Sequence, residues 1–282
     1  MYIILEFCDW TTLVTVSHVD RAGRNRVRRI IALQIRRVLR NFMDDRHHVS
    51  FFAYLHEIRA AVFGSVPWSI MSDTRYFCCR GWVRWPTHML IATPADMLHP
   101  WITVLEKAGY KQIYNRSTYG YIFNIRKWAK RAALFEREDR LQKRSITIFE
   151  ARFDSILQVI LSSLKTSDMT IMTSSRLFSF YPTLMKGNQS LRAQPSVSDA
   201  PRAWWHPSVS DYITGRPCGI NCPKIWRSTT KLEGVGELAW GGLDNELDVA
   251  GNMGSSSVFA KTKIRWRIGN KCRNPFCVNF SL

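Results

Sequence analysis

Acidic residues are scarce in this chain: 22 Asp and Glu stand against 40 Lys and Arg, a formal net charge of +18. That imbalance disfavours polycationic partners. It leaves nucleic acid, an anionic membrane surface or an acidic protein as the candidates for long-range attraction, alongside a solvated basic surface with no dedicated partner. Long apolar runs are also missing. No stretch approaches the ~18–20 uninterrupted apolar residues of a membrane-spanning helix. The early apolar patch Ile3-Ile4-Leu5 has no basic leader and is interrupted by Glu6 and Asp9, unlike a secretory signal. An intracellular location, cytoplasmic or nuclear, is expected. A paired cysteine framework is lacking too. The seven cysteines (Cys8, Cys78, Cys79, Cys218, Cys222, Cys272, Cys277) are odd in number, which points to reduced thiols or a metal site rather than structural disulfides.

The chain does have the material for a core. At 46% hydrophobic and 12% aromatic over 282 residues, it is too apolar for wholesale disorder and long enough for one large domain or two ordinary ones. After residue 191 the composition turns to Pro and Ser. Pro195-Ser196-Val197-Ser198-Asp199 returns as Pro207-Ser208-Val209-Ser210-Asp211, a tandem duplication too short to stack as a solenoid. The expected organisation is an α+β core over 1–192 with an Arg-rich N-terminal helix, a Pro/Ser linker over 193–214, and a small Cys-containing module over 215–282.

Periodicity places the elements. Residues 1–17 read as a short strand pair or frayed lead-in. Over 24–41, Val27, Ile31, Ile35, Val38 and Phe42 recur at steps of three and four, which predicts an amphipathic helix. A second helix is expected over 50–62, with Phe52, Leu55, Ile58 and Val62 turned inward, then a break at Phe63-Gly64-Ser65 and a short helical piece from Trp68 to Met71. A strand follows at 89–92. Asp96 is placed to cap a helix ending near Ala108, with Gly109 as its stop. Strands are expected at 112–115, 119–125 and 145–151, a charged helix-favouring connection at 127–144, a helix capped by Asp154, and a helical stretch around 170–181. Trp226-Arg227 and Trp240-Gly241-Gly242 read as the two sides of a small hairpin.

Three sets of residues carry candidate chemistry. The first lies on the Arg-rich helix. Arg24, Arg28, Arg29, Arg36, Arg37 and Arg40 belong to a segment with no acidic residue between Arg21 and Met43. Clustered guanidiniums bind phosphates bidentately and release condensed counterions; an Arg-heavy solvent face without a partner is the alternative. The second set is Cys218, Cys222, Cys272 and Cys277. Two close thiol pairs could form the tetrahedral four-sulfur cage that zinc favours, with Pro223 and Pro275 suiting tight turns. Buried free thiols are the alternative, since neither spacing is C-x-x-C. Cys78-Cys79, His47-His48 beside Asp44-Asp45, and Trp204-Trp205-His206 are read as buried thiols, a polar loop and a docked linker.

The third set rests on a resemblance. The Gly64-Ser65 turn between helical pieces, followed by Trp85-Pro86-Thr87-His88-Met89-Leu90-Ile91, resembles the nucleotidyltransferase-like fold. More closely, the chain resembles a family of basidiomycete fungal proteins built on a degenerate version of it, through stretches 61–70, 85–94, 101–110, 145–151, 169–182 and 217–242. The resemblance implies a mixed sheet flanked by helices, with Gly64 and Ser65 as a degenerate nucleotide site. It also implies an Asp-x-Asp pair and a third carboxylate, and these positions hold His88, Leu90 and Thr147 instead. Such side chains cannot supply the hard oxygen ligands of Mg²⁺, so catalysis by that route is not expected. A non-enzymatic binding protein for nucleic acid or an acidic partner is the first functional expectation. A divergent nucleotidyl- or phosphoryl-transferring enzyme with relocated carboxylates is the second.

Overall fold

The structure is a computed structural model that describes residues 2–6, 8–72, 85–113, 125–138, 142–193, 208–213, 215–229, 235–241 and 263–281. Asp73, Cys78-Cys79, the first copy of the duplication and Trp204-Trp205-His206 lie outside these residues, as does all but Ile125 of the strand expected at 119–125.

The chain opens on helices rather than the expected strands: α1 (Tyr2–Glu6), α2 (Trp10–Val19) and α3 (Arg21–Leu39). Asp9 and Asp20 are the reason. Each sits extended at an N-cap and accepts a backbone N–H of the next turn, Thr12 and Gly23 respectively. Gly23 also lets α2 and α3 approach, because a Cβ there would meet the Val16 carbonyl. On α3 the predicted stripe is buried: Val27, Ile30, Ile31, Ile35, Val38 and Leu39. Helix α4 (Asp45–Glu57) follows. It stops short of the expected 62 because Arg59 turns left-handed (φ 56°) and sends the chain into strand β1 (Ala61–Phe63).

Helix α5 (Ser65–Met71), strand β2 (His88–Thr93) and helix α6 (Leu98–Lys107) come next. Asp96 does not cap α6. It is itself left-handed (φ 62°) and pairs with Lys130 at 2.6 Å, while the buried Glu150 carboxylate accepts the Leu98 N–H at 3.2 Å. Strands β3 (Lys111–Ile113), β4 (Ala129–Glu138) and β5 (Lys143–Ala151) form a meander. The charged segment expected as a helical connection is therefore a strand. Tertiary pairing overrides its helix propensity, and its charges meet across the hairpin, as in Lys143–Glu136 at 2.7 Å.

Helix α7 (Leu157–Leu161) begins without a side-chain cap, so Asp154 does not serve there. The segment expected as a last helix is instead a β-hairpin, β6 (Thr170–Met172) and β7 (Arg176–Ser179). Its turn is closed by Thr173, whose Oγ1 accepts the Arg176 N–H at 3.0 Å. Helix α8 (Pro182–Lys186) precedes β8 (Gln189–Leu191), which pairs in parallel with β9 (Ser208–Ser210) in the second copy of the duplication. Three short strands remain: β10 (Arg227–Ser228), β11 (Gly236–Ala239) and β12 (Arg265–Trp266). The expected Trp226–Trp240 hairpin is not formed. β10 pairs with β12, and Trp240, after β11, packs edge-on against Phe52.

The result is a mixed α+β architecture around an eight-stranded sheet of order β11-β7-β6-β1-β2-β5-β4-β3, in which only the β2/β5 pairing is parallel. Helices α2 to α6 cover one face, over Val62, Met89, Ile91, Phe135, Ile146 and Met172. The other face carries Phe63, Leu90, Phe149, Ile171 and Phe178, and is covered by α7, α8 and the Cys-bearing segments. Residues from beyond position 214 thus enter the main sheet, through β11, and its hydrophobic core. No helix among the described residues is long and apolar enough to cross a membrane.

Candidate metal centre and charged surfaces

The four tail cysteines converge. Cys218, Cys222, Cys272 and Cys277 are all buried, and their sulfurs lie within 4.8 Å of one another. The Cys218–Cys272 and Cys222–Cys277 sulfurs are 3.7 Å apart. That is far longer than a disulfide bond of about 2.05 Å. It is close to the edge of about 3.8 Å that a tetrahedron with Zn–S bonds of about 2.3 Å requires. The backbone also fits a metal-thiolate site. The backbone N–H groups of Lys224, Asn274 and Asn279, each two residues after a cysteine, favour the ionised form of Cys222, Cys272 and Cys277 respectively. Asn274, fully buried, adds a side-chain bond to Cys218 Sγ at 3.1 Å and braces itself on the Arg216 carbonyl at 2.7 Å. Burial raises the Cys218, Cys222 and Cys272 thiols, Cys222 to about 11; burial acts on Cys277 too, but the Asn279 N–H and the neighbouring thiols bring it down to about 7. The four residues can therefore hold a metal ion. No other group of three or more His, Cys, Asp or Glu side chains converges among the described residues.

Five of the six arginines lie on α3 and Arg40 is its C-cap, and not all are without a carboxylate. Arg40 makes a bidentate pair with Asp45 (2.7–3.0 Å), and Arg37 reaches Glu6 at 3.5 Å. Asp45 lies two residues past the acid-free stretch and Glu6 fifteen residues before it, so counting charge within the stretch missed both. Arg24 leans on the Ser17 carbonyl at 3.4 Å, and Arg28 is half-buried. Arg29 and Arg36, seven residues apart, are both exposed on one stripe of the helix.

The Gly64-Ser65 turn joins β1 to α5, with Gly64 at φ 82° as its N-cap. A side chain there would press on Leu90, 3.2 Å from the position a Cβ would take. Ser65 Oγ donates to the His88 carbonyl at 3.3 Å. Because β2 and β5 run in parallel, His88 lies opposite Ser145 and Leu90 opposite Thr147. His88 bridges the two hydroxyls, through Nδ1 to Ser145 Oγ and through Nε2 to Thr147 Oγ1 at 3.2 Å. Burial pushes its imidazole down to about 4, so it is neutral. A carboxylate without any signal in the sequence lies beside the turn: Asp168 Oδ1, 4.0 Å from a Cβ position on Gly64, with its pKa pushed up to about 6 by burial. The pair His47-His48 splits. His48 is buried against the Met43 carbonyl at 3.2 Å, whereas His47 is half-buried on the surface. Comparison with protein-family models, with curated proteins and with solved structures yields no match.

Proposed function

We propose that this chain is a non-enzymatic nucleic-acid-binding protein on a degenerate nucleotidyltransferase-like core, stapled by a structural zinc at Cys218, Cys222, Cys272 and Cys277. Support for the core comes from the order strand, Gly-Ser turn, helix, strand: β1, Gly64-Ser65, α5 and β2, with β2 parallel to β5. The similarity to the basidiomycete fungal family is proposed on the same order. The observation that carries the non-enzymatic part is the His88–Ser145–Thr147 arrangement. Where metal-binding carboxylates would stand, a neutral imidazole is tied to two hydroxyls and Leu90 fills the space under Gly64. Asp168 alone cannot assemble the hard-oxygen set that Mg²⁺ prefers. Calorimetric titration of the protein with ATP or GTP plus Mg²⁺ is expected to show no metal-dependent binding. Micromolar affinity that requires Mg²⁺ would instead favour a divergent transferase built around Asp168.

Binding is assigned to the exposed stripe of α3. Arg29→Gln with Arg36→Gln removes two charges and keeps helix propensity. On duplex DNA, each lost phosphate contact should lower the slope of log affinity against log salt by about 0.9. A slope shallower by about 1–2 and an unchanged thermal midpoint are expected. Arg40→Gln is expected to have a smaller effect, because Asp45 already neutralises that guanidinium. Equal slopes for the double variant and the parent would remove α3 from the interface.

A further inference from the structure

The metal-centred tail carries a surface that the six α3 arginines do not explain. Among the described residues, six of the twelve exposed large hydrophobic side chains belong to it: Ile220, Ile225, Trp226, Phe276, Val278 and Phe280. Segments 215–229 and 263–281 also contain eight Lys and Arg and no Asp or Glu. Among the described residues, the carboxylate that reaches them is Asp211, 3.5 Å from Arg273. A patch both apolar and uniformly cationic is poorly suited to bare water and well suited to a polyanion that also offers flat apolar faces.

The β10/β12 pair organises this surface. Its register sets Arg227 opposite Trp266 and Ser228 opposite Arg265, which brings Trp226 opposite Arg267. Side chains alternate across a strand. Arg227 and Trp266 accordingly turn inward: Trp266 donates to the Tyr181 hydroxyl at 3.2 Å, and Arg227 stacks on Tyr181 and donates to the Phe180 carbonyl at 3.0 Å. Trp226, Arg265 and Arg267 share the outward side. The Arg267 guanidinium lies 4.6 Å and that of Arg265 5.4 Å from the indole centroid, yet Trp226 remains 50% exposed. Guanidiniums stacked against an indole hold the ring in place and keep cationic N–H groups at its rim. Both strands are tied to the cysteine site at the Trp226–Arg267 end of the ladder, since Cys222 stands four residues before Trp226 and Cys272 five after Arg267.

We infer that Trp226, Arg265 and Arg267 form a base-stacking site for single-stranded nucleic acid, held rigid by the metal-bound cysteines. Any base presents a π-face to an exposed indole, so stacking is sequence-tolerant, and the flanking arginines take the adjoining phosphates. A duplex hides its base faces and would meet only the charges. An anionic membrane is the lesser fit, because seating the indole in hydrocarbon would carry two stacked guanidiniums into it. The inference rests on the nucleic-acid reading but not on α3.

The test uses full-length, metal-loaded protein and fluorescence anisotropy with a twelve-nucleotide oligothymidylate and its abasic counterpart, which has equal phosphate and no bases. The parent is expected to prefer the base-bearing strand. Trp226→Ala should lower affinity for it by about tenfold or more, while leaving abasic binding and the salt slope unchanged. Trp226→Phe should recover part of the loss. Arg265→Gln with Arg267→Gln should instead flatten the slope, by about 0.7 per phosphate released on a single strand. Metal content measured on each variant separates loss of the ring from loss of the site beneath it. If Trp226→Ala sheds its metal, Trp226→Phe and the arginine pair decide. Equal parent affinity for the two oligonucleotides would overturn the inference. So would a Trp226 defect seen only on phosphatidylserine vesicles. An Arg29/Arg36 variant with a normal slope alongside a Trp226 defect would refute the α3 assignment alone.

Discussion

His88 illustrates what a single position can hold. Its ring spans two hydroxyls on β5 and stays neutral, burial outweighing the opposing pull of the Glu136 carboxylate. The folded-state pKa, about 4, lies below the ordinary 6.5. The unfolded chain therefore takes up a proton between these values and the native chain does not. Stability from this residue is fully present above about pH 6.5 and is lost as pH falls toward 4. At about 1.4 kcal/mol per pH unit the loss amounts to about 3 kcal/mol. His48, also buried and depressed chiefly by desolvation, adds to the same trend. Urea unfolding of the parent and of His88→Asn at pH 7 and pH 4.5 checks this. The variant is expected to be less stable at pH 7 but to lose less between the two pH values. An equal loss in both proteins would show that His88 is not the group being titrated. Residue chemistry of this kind was only partly legible beforehand. The resemblance named His88, Leu90 and Thr147, whereas Ser145 and Asp168 near them, and Asn274 beside the cysteines, carried no signal in the sequence.

At the scale of elements, the long amphipathic helix was readable because burial imposes one period on many residues, and α3 keeps that period from Val27 to Leu39. The short elements were not. Ala129–Glu138 mixes helix-favouring Ala, Lys, Arg and Glu, yet it pairs on both sides, with β3 and β5. A local pattern cannot report partners distant in the chain. Thr170–Met172 and Arg176–Ser179 were read as helix because a three-residue strand shows too few alternations to be told from a helical turn. The Thr173 turn was the available signal, since a Thr followed by two serines is turn chemistry. The same reasoning explains Trp226. Its place opposite Arg267 depends on a pairing between strands nearly 40 residues apart, whereas the sequence pattern set it across from Trp240-Gly241-Gly242.

At the scale of the whole molecule, composition marked a linker and a separate tail, whereas packing joins the tail to the sheet. Composition reports what a segment is made of, not what it rests on. Cys218, Cys222, Cys272, Cys277, Trp266 and Ile268 share a hydrophobic cluster with Phe63, Leu90, Phe149 and Tyr181, and β11 extends the sheet beside β7. A metal at the cysteines should therefore stabilise more than the tail. Metal that binds the native state and not the unfolded one adds free energy in proportion to the logarithm of its concentration over its dissociation constant. Protein purified without chelator is expected to contain close to one zinc per chain. Cys222→Ser, or prolonged exposure to a strong chelator, should remove it and lower the midpoint of the main cooperative unfolding transition, by several degrees or more. Because three of the four thiols are raised by burial, the metal must displace protons from them, and zinc retention should weaken as pH falls. Atomic absorption with calorimetric scanning at pH 7.5 and 5.5 measures both effects. A metal-free parent whose midpoint equals that of Cys222→Ser would reduce the cluster to four buried thiols. A zinc-bearing parent whose loss of metal opens only the tail to protease would restore the separate module that composition suggested.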